Sequence, residues 1–513
     1  MILSYTLRAL PVHACVLGNL TRRHTSGYSL TLLIFNQPSR PALGLAHALM
    51  PSTITQHLSL ITRHLVRRNP FALARARALI ERETLPEAQI LERQSALLRR
   101  TLETARARLP RYAGVPACPP DVDPRVWLRR HYPVVSKPDL VNNRALYYPN
   151  GGARKPWWPL GKTSGTSGTP LEVFRSLDSV IWEEAFHLQY WAWAGHRNGA
   201  AQAILRGDQI VPAKQANPPY WLWDRYGKQL FVSTRHLTLR TAGAMLDRIA
   251  AQGAAQLRAY PSSSYELARA AEQLGHPLRL RAVITGSEPV FPAQREQIER
   301  AFGCRVFDFY GMAERTAFAG QCEHGYYHLN PEYSYVEILD EQNNPTDGFG
   351  YVVGTTLHNL VMPLVRYRIS DKARWISGSC PCGRHYPRIE LSSGKVEDQL
   401  FDSDNNPISA SIITFALKGL ERISKTQMAQ VGPGEWEVRI VPEAGFTKAD
   451  EEKMLRNIRE LVTERVHARI RLMDDIPLQP SGKFKWVSQE WQGAKELRSA
   501  TAAAAPKPAP SLT

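Results

Sequence analysis

The stretch from residue 282 to residue 311 reads AVITGSEPVFPAQREQIERAFGCRVFDFYG and decides the predicted fold. It contains two short β-rich runs, residues 282–285 and 305–309, and each run ends in a polar corner that contains glycine. Helical segments alternate with similar short runs on either side of it. Parallel strands joined by helices bring their carboxyl ends to one edge of a sheet. The stretch therefore predicts an α/β sheet with a functional site at the strand ends.

A second polar loop, residues 161–170, reads GKTSGTSGTP and contains three glycines and five hydroxyl side chains. Backbone N–H groups of a glycine-rich turn can converge on an anion. The loop is not a P-loop, because the first glycine of that motif would fall at Pro156. It is also shorter than a usual flexible linker, and it runs into LEVF at residues 171–174, a predicted strand. The residues alone leave phosphate binding and a plain turn as alternatives.

Four motifs follow one another along the chain: TSGTSGTP at residues 163–170, YGMAE at 310–314, RYRISD at 366–371 and PSGK at 480–483. Together they resemble the adenylate-forming superfamily of acyl-CoA synthetases and nonribosomal peptide synthetase adenylation domains. The chain is most similar to the phenylacetate–CoA ligase branch, which includes CapK and coenzyme F390 synthetase relatives. The resemblance covers about residues 85–490 and implies a large N-terminal α/β domain with a small α+β C-terminal lid domain.

The activity that the resemblance implies has two steps. A carboxylic acid reacts with ATP to give an acyl-adenylate and pyrophosphate, and the acyl group then passes to a thiol, most simply that of CoA. The alternative within the same fold is adenylyl transfer or amide formation without CoA, of the F390 synthetase or CapK type. The implied partners are a small carboxylic acid and CoA or another thiol or amine acceptor. The identity of the acid and the oligomeric state are left open.

The resemblance implies that four segments of the chain bind the nucleotide. The loop of residues 163–168 would hold the ATP phosphates; related loops often read SGTTG or SGSTG, and here Ser167 keeps the hydroxyl. Tyr310 would lie against adenine, since an aromatic face offers stacking, and Asp371 would accept hydrogen bonds from the ribose hydroxyls. The alternatives are a core tyrosine and a surface ion-pair group. The full predicted nucleotide-binding set is Thr163, Ser164, Gly165, Thr166, Ser167, Gly168, Gly286, Ser287, Glu288, Pro289, Tyr310, Gly311, Met312 and Asp371.

The resemblance also implies a cation site, a catalytic lysine and a hinge. Glu314 would hold Mg²⁺, which prefers carboxylate and phosphate oxygens; the alternative is a simple surface carboxylate. Lys483 would stabilise the charge that shifts between carboxylate, α-phosphate and pyrophosphate in the transition state. GKVED at residues 394–398 lies where the family has a Gly-Arg-x-Asp-Asp hinge. Lys395 replaces the arginine and Glu397 replaces the first aspartate, so the match is partial and the hinge residue stays open between Glu397 and Asp398.

Cysteines and histidines form a further constellation in two separate segments. CEHGYYH occupies residues 322–328 and CPCGR occupies residues 380–384. Thiolates with an imidazole suit tetrahedral Zn²⁺, although the C-x-C spacing is tighter than the common C-x-x-C. Similar insertions occur in the branch named above; the alternative is a set of reduced thiols. The predicted ligands of a structural zinc are Cys322, Cys380 and Cys382 with one of His324 and His328.

Several sequence features bear on the domains. Residues 1–50 are apolar but are broken by charged and proline residues and lack a basic n-region, so we expect an atypical N-terminal extension rather than a signal peptide. TLPE at residues 84–87 has capping-box form and predicts a helix start. Residues 435–441 and 468–472 alternate like strands, and TKAD at 447–450 predicts the start of a helix that reaches about residue 466. The predicted domains are residues 51–394 and 395–495, with a disordered tail at residues 496–513.

Composition excludes other classes of protein. The net charge is +17, but the arginines are mixed with alanine and leucine and lack neighbouring aromatics, which favours a solvated face over a nucleic-acid interface. No apolar run approaches the roughly 20 residues of a membrane span. Six cysteines in 513 residues do not make a disulfide framework. We therefore expect a cytoplasmic enzyme that uses ATP, Mg²⁺ and CoA and carries a structural zinc.

Overall fold

The computed structural model describes residues 69–163, 171–206, 210–212, 215–287, 290, 292–391, 400–408, 420, 422–476 and 487–494. The predicted N-terminal extension and C-terminal tail lie outside these residues, as does the predicted domain boundary at residues 394 and 395. The predicted site residues that also lie outside the described residues are Ser164, Gly165, Thr166, Ser167, Gly168, Glu288, Pro289, Lys395, Glu397, Asp398 and Lys483.

Helices dominate the first part of the described chain. They are α1 (Pro70–Arg82), α2 (Glu87–Arg108), α3 (Pro124–His131), α4 (Lys137–Asn142) and α5 (Arg144–Tyr147), followed by a hairpin of β1 (Leu160–Lys162) and β2 (Glu172–Phe174). None of the helices in the described residues is both long and apolar enough to cross a membrane.

The start of α2 corrects one detail of the sequence analysis. The predicted helix forms, but its N-cap is Pro86 and no side chain caps it, so the capping box predicted at residues 84–87 is wrong. The carbonyl of Pro86 instead accepts from the N–H groups of Gln89 and Ile90 at 3.0 and 3.2 Å. Leu98 and Leu102, one turn apart on this helix, are buried.

A large mixed sheet forms the centre of the molecule and confirms the predicted α/β fold. Its strands are β3 (Gln202–Arg206), β4 (Trp221–Asp224), β5 (Gln229–Ser233), β6 (Gln256–Ala259), β7 (Ala282–Gly286), β8 (Arg305–Gly311), β9 (Phe318–Gln321), β10 (Tyr327–Leu329), β11 (Ser334–Leu339), β12 (Gly350–Thr356), β13 (Tyr367–Ile376) and β14 (Arg388–Leu391). They lie in the order β11-β12-β13-β14-β10-β9-β8-β7-β6-β3-β5-β4. Helix α6 (Leu177–Trp193) precedes β3, and helices α7 (Leu239–Ala251), α8 (Pro261–Gln273) and α9 (Pro292–Phe302) lie between strands of the sheet in the sequence.

The parallel half of this sheet brings the polar corners together. Strands β5, β3, β6, β7 and β8 pair in parallel, and Gly286 at the end of β7 lies opposite Phe309 of β8. The stretch quoted at the outset is therefore a β-α-β unit, since α9 joins β7 to β8. The core behind it consists of buried aliphatic side chains from these strands and from α7, α8 and α9. Burial of this apolar face fixes which side of the sheet the helices cover.

The second half of the sheet is antiparallel and folds β13 back toward the strand ends. Strand β13 lies between β12 and β14. Segment 133–137 lies beside the start of β13, because the N–H of Val135 donates to the carbonyl of Arg366 at 3.0 Å and the N–H of Arg368 donates to that of Val135 at 2.8 Å. This return of the chain places residues from three distant segments near the end of β8.

The C-terminal part has its own sheet, of order β19-β18-β17-β20, and its own core around Trp436, Val438 and Ile440. Its strands are β17 (Ile423–Gly432), β18 (Glu435–Pro442), β19 (His467–Leu472) and β20 (Val487–Gln489), preceded by a small hairpin of β15 (Leu400–Phe401) and β16 (Pro407–Ile408). Both predicted strands are confirmed. So is the predicted helix, α10 (Lys448–Leu461), which begins at a Thr447–Asp450 capping box but ends five residues before the predicted position 466.

Candidate functional site

The end of β7 is a tight corner. A Cβ on Gly286 would lie 2.9 Å from the carbonyl oxygen of Phe309 on the neighbouring strand, so only glycine fits there without movement. Ser287 follows with a φ of +73°, in the left-handed region that non-glycine residues rarely adopt. Strained backbone of this kind is concentrated at ligand sites. The corner predicted to lie beside the nucleotide is therefore a tight turn with strained backbone, of the kind found at ligand sites.

Tyr310, Glu314 and Asp371 come together at the end of β8. The hydroxyl of Tyr310 donates to Oδ2 of Asp371 at 3.1 Å, which joins β8 to β13. The hydroxyl of Tyr367, also on β13, donates to Oε1 of Glu314 at 3.3 Å. Tyr310, Glu314 and Asp371 are each half-buried, so part of each residue remains accessible at the surface. Three residues predicted from two separate motifs thus form one polar cluster.

The electrostatics of this cluster fit a cation site. Burial raises the pKa of Glu314 above its ordinary value. Burial, and then the charge of Asp371, raise the pKa of Tyr310 well above its ordinary value. The charge of Asp371 also raises the pKa of Glu314, and a divalent cation held by Glu314 would offset this repulsion. Carboxylate oxygens are also the donor type that Mg²⁺ prefers, so the residues present fit that ion.

The sequence analysis missed Lys137, which lies near Glu314. Burial lowers the pKa of Lys137, while the charge of Glu314 opposes that shift. The lysine reaches this place because Val135 pairs with the start of β13. Nothing in the local sequence reveals this pairing, since it joins segments more than 200 residues apart.

A buried hydrogen-bond network lies beneath the strand ends. Asp308 accepts from the hydroxyl of Thr285 at 2.5 Å and from the hydroxyl of Tyr327. Burial raises the pKa of Asp308, although both hydrogen bonds oppose the shift. Tyr190 of α6 donates to the carbonyl of Asp308 at 2.6 Å. The network ties β7, β8, β10 and α6 together one or two residues below the candidate nucleotide site.

Three other described residues of the predicted nucleotide-binding set, Thr163, Gly311 and Met312, lie in different surroundings. Thr163 and Leu171 are paired on either side of residues 164–170: the N–H of Thr163 donates to the carbonyl of Leu171 at 3.0 Å, and the hydroxyl of Thr163 accepts from the N–H of Leu171 at 3.0 Å. Gly311 ends β8, where a Cβ would lie 2.5 Å from the ring of Phe309. The side chain of Met312 is partly buried and packs against an apolar cluster of the sheet.

A second cluster contains four of the predicted metal ligands. One ligand atom from each of Cys322, His328, Cys380 and Cys382 lies within 4.8 Å of the others. The sulfurs of Cys322 and Cys380 are 3.8 Å apart, and Sγ of Cys382 is 3.4 Å from Nε2 of His328. A tetrahedral zinc with Zn–S bonds of about 2.3 Å places its sulfurs about 3.8 Å from each other. The cluster therefore has the donors and the size of a structural zinc site.

Neighbouring groups orient this cluster. Nδ1 of His328 is 3.2 Å from the carbonyl of Tyr386, a partner that leaves Nε2 facing the sulfurs. His324 does not belong to the four converging ligands; its backbone N–H instead donates to the sulfur of Cys322 at 3.4 Å. Arg384 follows the C-x-C segment and pairs with Glu323 at 3.0 Å, which holds the two segments together. Of the two histidines left open by the sequence, the geometry selects His328.

Comparisons with known proteins agree with the resemblance seen in the motifs. Residues 400–490 match the family model of the CapK C-terminal domain. The chain is 25% identical to phenylacetate-coenzyme A ligase of Thermus thermophilus over 62% of this chain and 73% of that protein. It is 30% identical to the enzyme of the same name from Pseudomonas putida, over 31% and 38% of the two chains. It is 19% identical to protein CapK of Staphylococcus aureus, over 63% and 73%.

A solved structure has the same fold. The crystal structure of a 2-hydroxyisobutyryl-CoA ligase, in complex with its acyl-AMP and CoA in the thioesterification state, matches 82% of this chain and 94% of its own, with a TM-score of 0.51 at 18% identity. This likeness confirms the predicted architecture of a large α/β domain followed by a small C-terminal domain. The resemblance to the adenylate-forming enzymes of the phenylacetate–CoA ligase and CapK kind is thus confirmed.

Proposed function

We propose that this chain is an adenylate-forming ligase. It activates a carboxylic acid with ATP to an acyl-adenylate, releases pyrophosphate, and passes the acyl group to a thiol, most simply that of CoA. The observation that carries the proposal is the convergence of Tyr310, Glu314 and Asp371 at the strand ends. The similarity to a phenylacetate–CoA ligase over 62% of this chain supports it.

Each residue of the site has a separate role in binding ATP. Asp371 accepts hydrogen bonds from the ribose hydroxyls, and Tyr310 both orients Asp371 and offers its ring to adenine. Glu314 would hold Mg²⁺, which would supply positive charge against the phosphates. Lys483 faces the charge that develops between carboxylate and α-phosphate, where a fixed cation lowers the barrier. Lys395, Glu397 and Asp398 form the hinge about which the lid domain turns between the two steps.

The alternative is a different acceptor on the same fold. The CapK C-terminal domain match at residues 400–490 and the similarity to protein CapK favour adenylyl transfer or amide formation without CoA. Amide formation shares the acyl-adenylate step and differs only in the acceptor, whereas adenylyl transfer passes AMP from ATP directly to the acceptor with release of pyrophosphate.

A pyrophosphate-exchange screen over a panel of aliphatic and aromatic carboxylic acids tests the proposal. We expect exchange that depends on ATP, Mg²⁺ and at least one acid, because adenylate formation is reversible. Adding CoA with the active acid then separates the acceptors: thioester formation supports the CoA ligase, whereas a stable adenylate supports the alternative. The proposal is abandoned if no acid in a broad panel gives exchange with protein that is folded and binds ATP.

We also propose that Cys322, His328, Cys380 and Cys382 hold a structural zinc ion. All four ligands come from the protein, which leaves no open position for a substrate. The ion would join the β9–β10 turn to the segment before β14, and so fix one side of the large sheet. Reduced cysteines of this kind fit a cytoplasmic location.

The glycine loop provides a test that is specific to ATP binding. Gly165→Val is expected to weaken ATP binding about 10- to 100-fold. A Cβ at this position would clash with phosphate or prevent the required φ, and the loss of one charge-assisted hydrogen bond to phosphate costs about 1.5–3 kcal/mol. Ser167→Thr is the matched control and keeps the hydroxyl, so we expect nearly unchanged affinity. Titration of ATP with Mg²⁺ into each purified variant gives both values. Parental affinity in Gly165→Val would mean that the loop is only a turn.

A further inference from the structure

The loop that carries Glu314 has an unusual backbone. Arg315, the next residue, has a φ of +60°, which non-glycine residues rarely adopt. Its N–H donates to the carbonyl of Met312 at 3.1 Å and closes a tight turn. Such a conformation persists only where surrounding contacts hold it. The contacts of Arg315 therefore determine where Glu314 points.

Helix α6 supplies those contacts. Nε of Arg315 lies 3.3 Å from Oε2 of Glu183, and the two side chains are only 15% and 18% exposed. Nη1 of Arg315 also donates to the carbonyl of Ser179 at 3.2 Å. The hydroxyl of Tyr333 donates to the same oxygen of Glu183 at 2.8 Å. The guanidinium is thus clamped between one carboxylate and one carbonyl of the same helix.

Arg315 and Glu183 are both charged. Burial alone would raise the pKa of Glu183, but the charge of Arg315 and the hydrogen bonds from His187 and Tyr333 hold it well below its ordinary value. His187 lies on the other carboxylate oxygen, with Nε2 at 3.5 Å. Glu183 is therefore ionised at neutral pH, and the pair with Arg315 is a true ion pair.

We propose that Glu183 is a positioning residue for the Mg²⁺·ATP site, acting through Arg315 on Glu314. The inference rests on the proposed function. A second arginine holds the other end of the same loop, because Nη2 of Arg175 donates to the carbonyl of Ala313. With both ends fixed, the carboxylate of Glu314 is held toward Tyr367 and Asp371. Without the ion pair, Arg315 relaxes from its left-handed conformation and the carboxylate turns away.

Titration calorimetry with ATP tests this role without relying on turnover. ATP is titrated into the full chain with excess Mg²⁺ and again with EDTA, and the ratio of the two affinities gives the gain that Mg²⁺ provides. In Glu183→Gln we expect this gain to fall about 10- to 100-fold, as for other residues that orient a metal ligand. The affinity for ATP in EDTA should not change, because Glu183 does not touch the nucleotide.

Two further variants separate positioning from general stability. Tyr333→Phe removes a hydrogen bond to Glu183 but leaves the ion pair, so we expect the gain from Mg²⁺ to persist. Arg315→Ala removes the guanidinium but keeps the cost of a φ of +60°, so we expect it to behave like Glu183→Gln, and it replaces that variant if Glu183→Gln does not fold.

The possible results distinguish the two proposals. A full Mg²⁺ gain in folded Glu183→Gln or Arg315→Ala overturns the positioning role and leaves the proposed function intact. Equal loss of ATP affinity with and without Mg²⁺ also overturns it, because the effect is then on the whole site. A parent protein that binds no ATP removes the proposed function itself.

Discussion

Lys483→Ala is expected to lower the rate of adenylate formation about 10²- to 10³-fold, the usual effect of removing one well-placed group that stabilises transition-state charge. The lysine lies in the segment that matches the CapK C-terminal domain. Its charge is needed while the carboxylate attacks the α-phosphate and pyrophosphate leaves. Transfer of the acyl group from a preformed acyl-adenylate does not involve that charge, so the second step should keep most of its rate.

Pyrophosphate exchange measures the first step, and thioester formation from synthetic acyl-adenylate and CoA measures the second. Lys485→Ala is a matched control, since it removes the same charge two residues away. We expect it to keep both rates. If Lys483→Ala slows both steps equally, the lysine does not act on adenylation and the assignment of the lid residue is wrong.

Local patterns in the sequence predicted the parts of the site that depend on strand ends. The runs at residues 282–285 and 305–309 became β7 and β8, because apolar β-rich segments separated by a helix pack in parallel. The motifs around Tyr310 and Asp371 indicated that both residues belong to one site, and they are joined by a hydrogen bond of 3.1 Å. The resemblance supplied this pairing, since neither motif specifies the other by periodicity or spacing.

Long-range packing supplied what the sequence could not. Lys137 and Glu183 have ordinary local surroundings in the sequence, and only the pairing of Val135 with β13 and the packing of α6 bring them to the site. The turn at Arg315 was equally hidden, because arginine gives no signal for a positive φ. The choice between His324 and His328 needed the geometry of the β9–β10 turn. Sequence patterns thus located the strand ends, while tertiary contacts decided which charged groups surround them.

Cys380→Ser is expected to release zinc and to lower the thermal stability of the protein. The parent should contain about one zinc ion per chain, held by three sulfurs and Nε2 of His328. Structural zinc contributes directly to folding free energy, with apparent values of about 10–16 kcal/mol in zinc-finger peptides. Even a loss on the order of 3 kcal/mol would lower the melting temperature by several degrees. Elemental analysis of freshly purified, reduced protein and a thermal melt give the two values.

Cys304→Ser is the control, because Cys304 is a free cysteine outside the cluster. It should keep the zinc and nearly the parental melting temperature. The folded fraction of Cys380→Ser should retain most of its turnover, because no predicted nucleotide-binding residue belongs to the cluster; Tyr327, the neighbour of His328, links it to Asp308 by a hydrogen bond. Parent protein without zinc would disprove the site, as would a stable Cys380→Ser that keeps its metal. If the folded fraction of Cys380→Ser lost most of its turnover, the ion would instead be part of the catalytic machinery, which four protein ligands argue against.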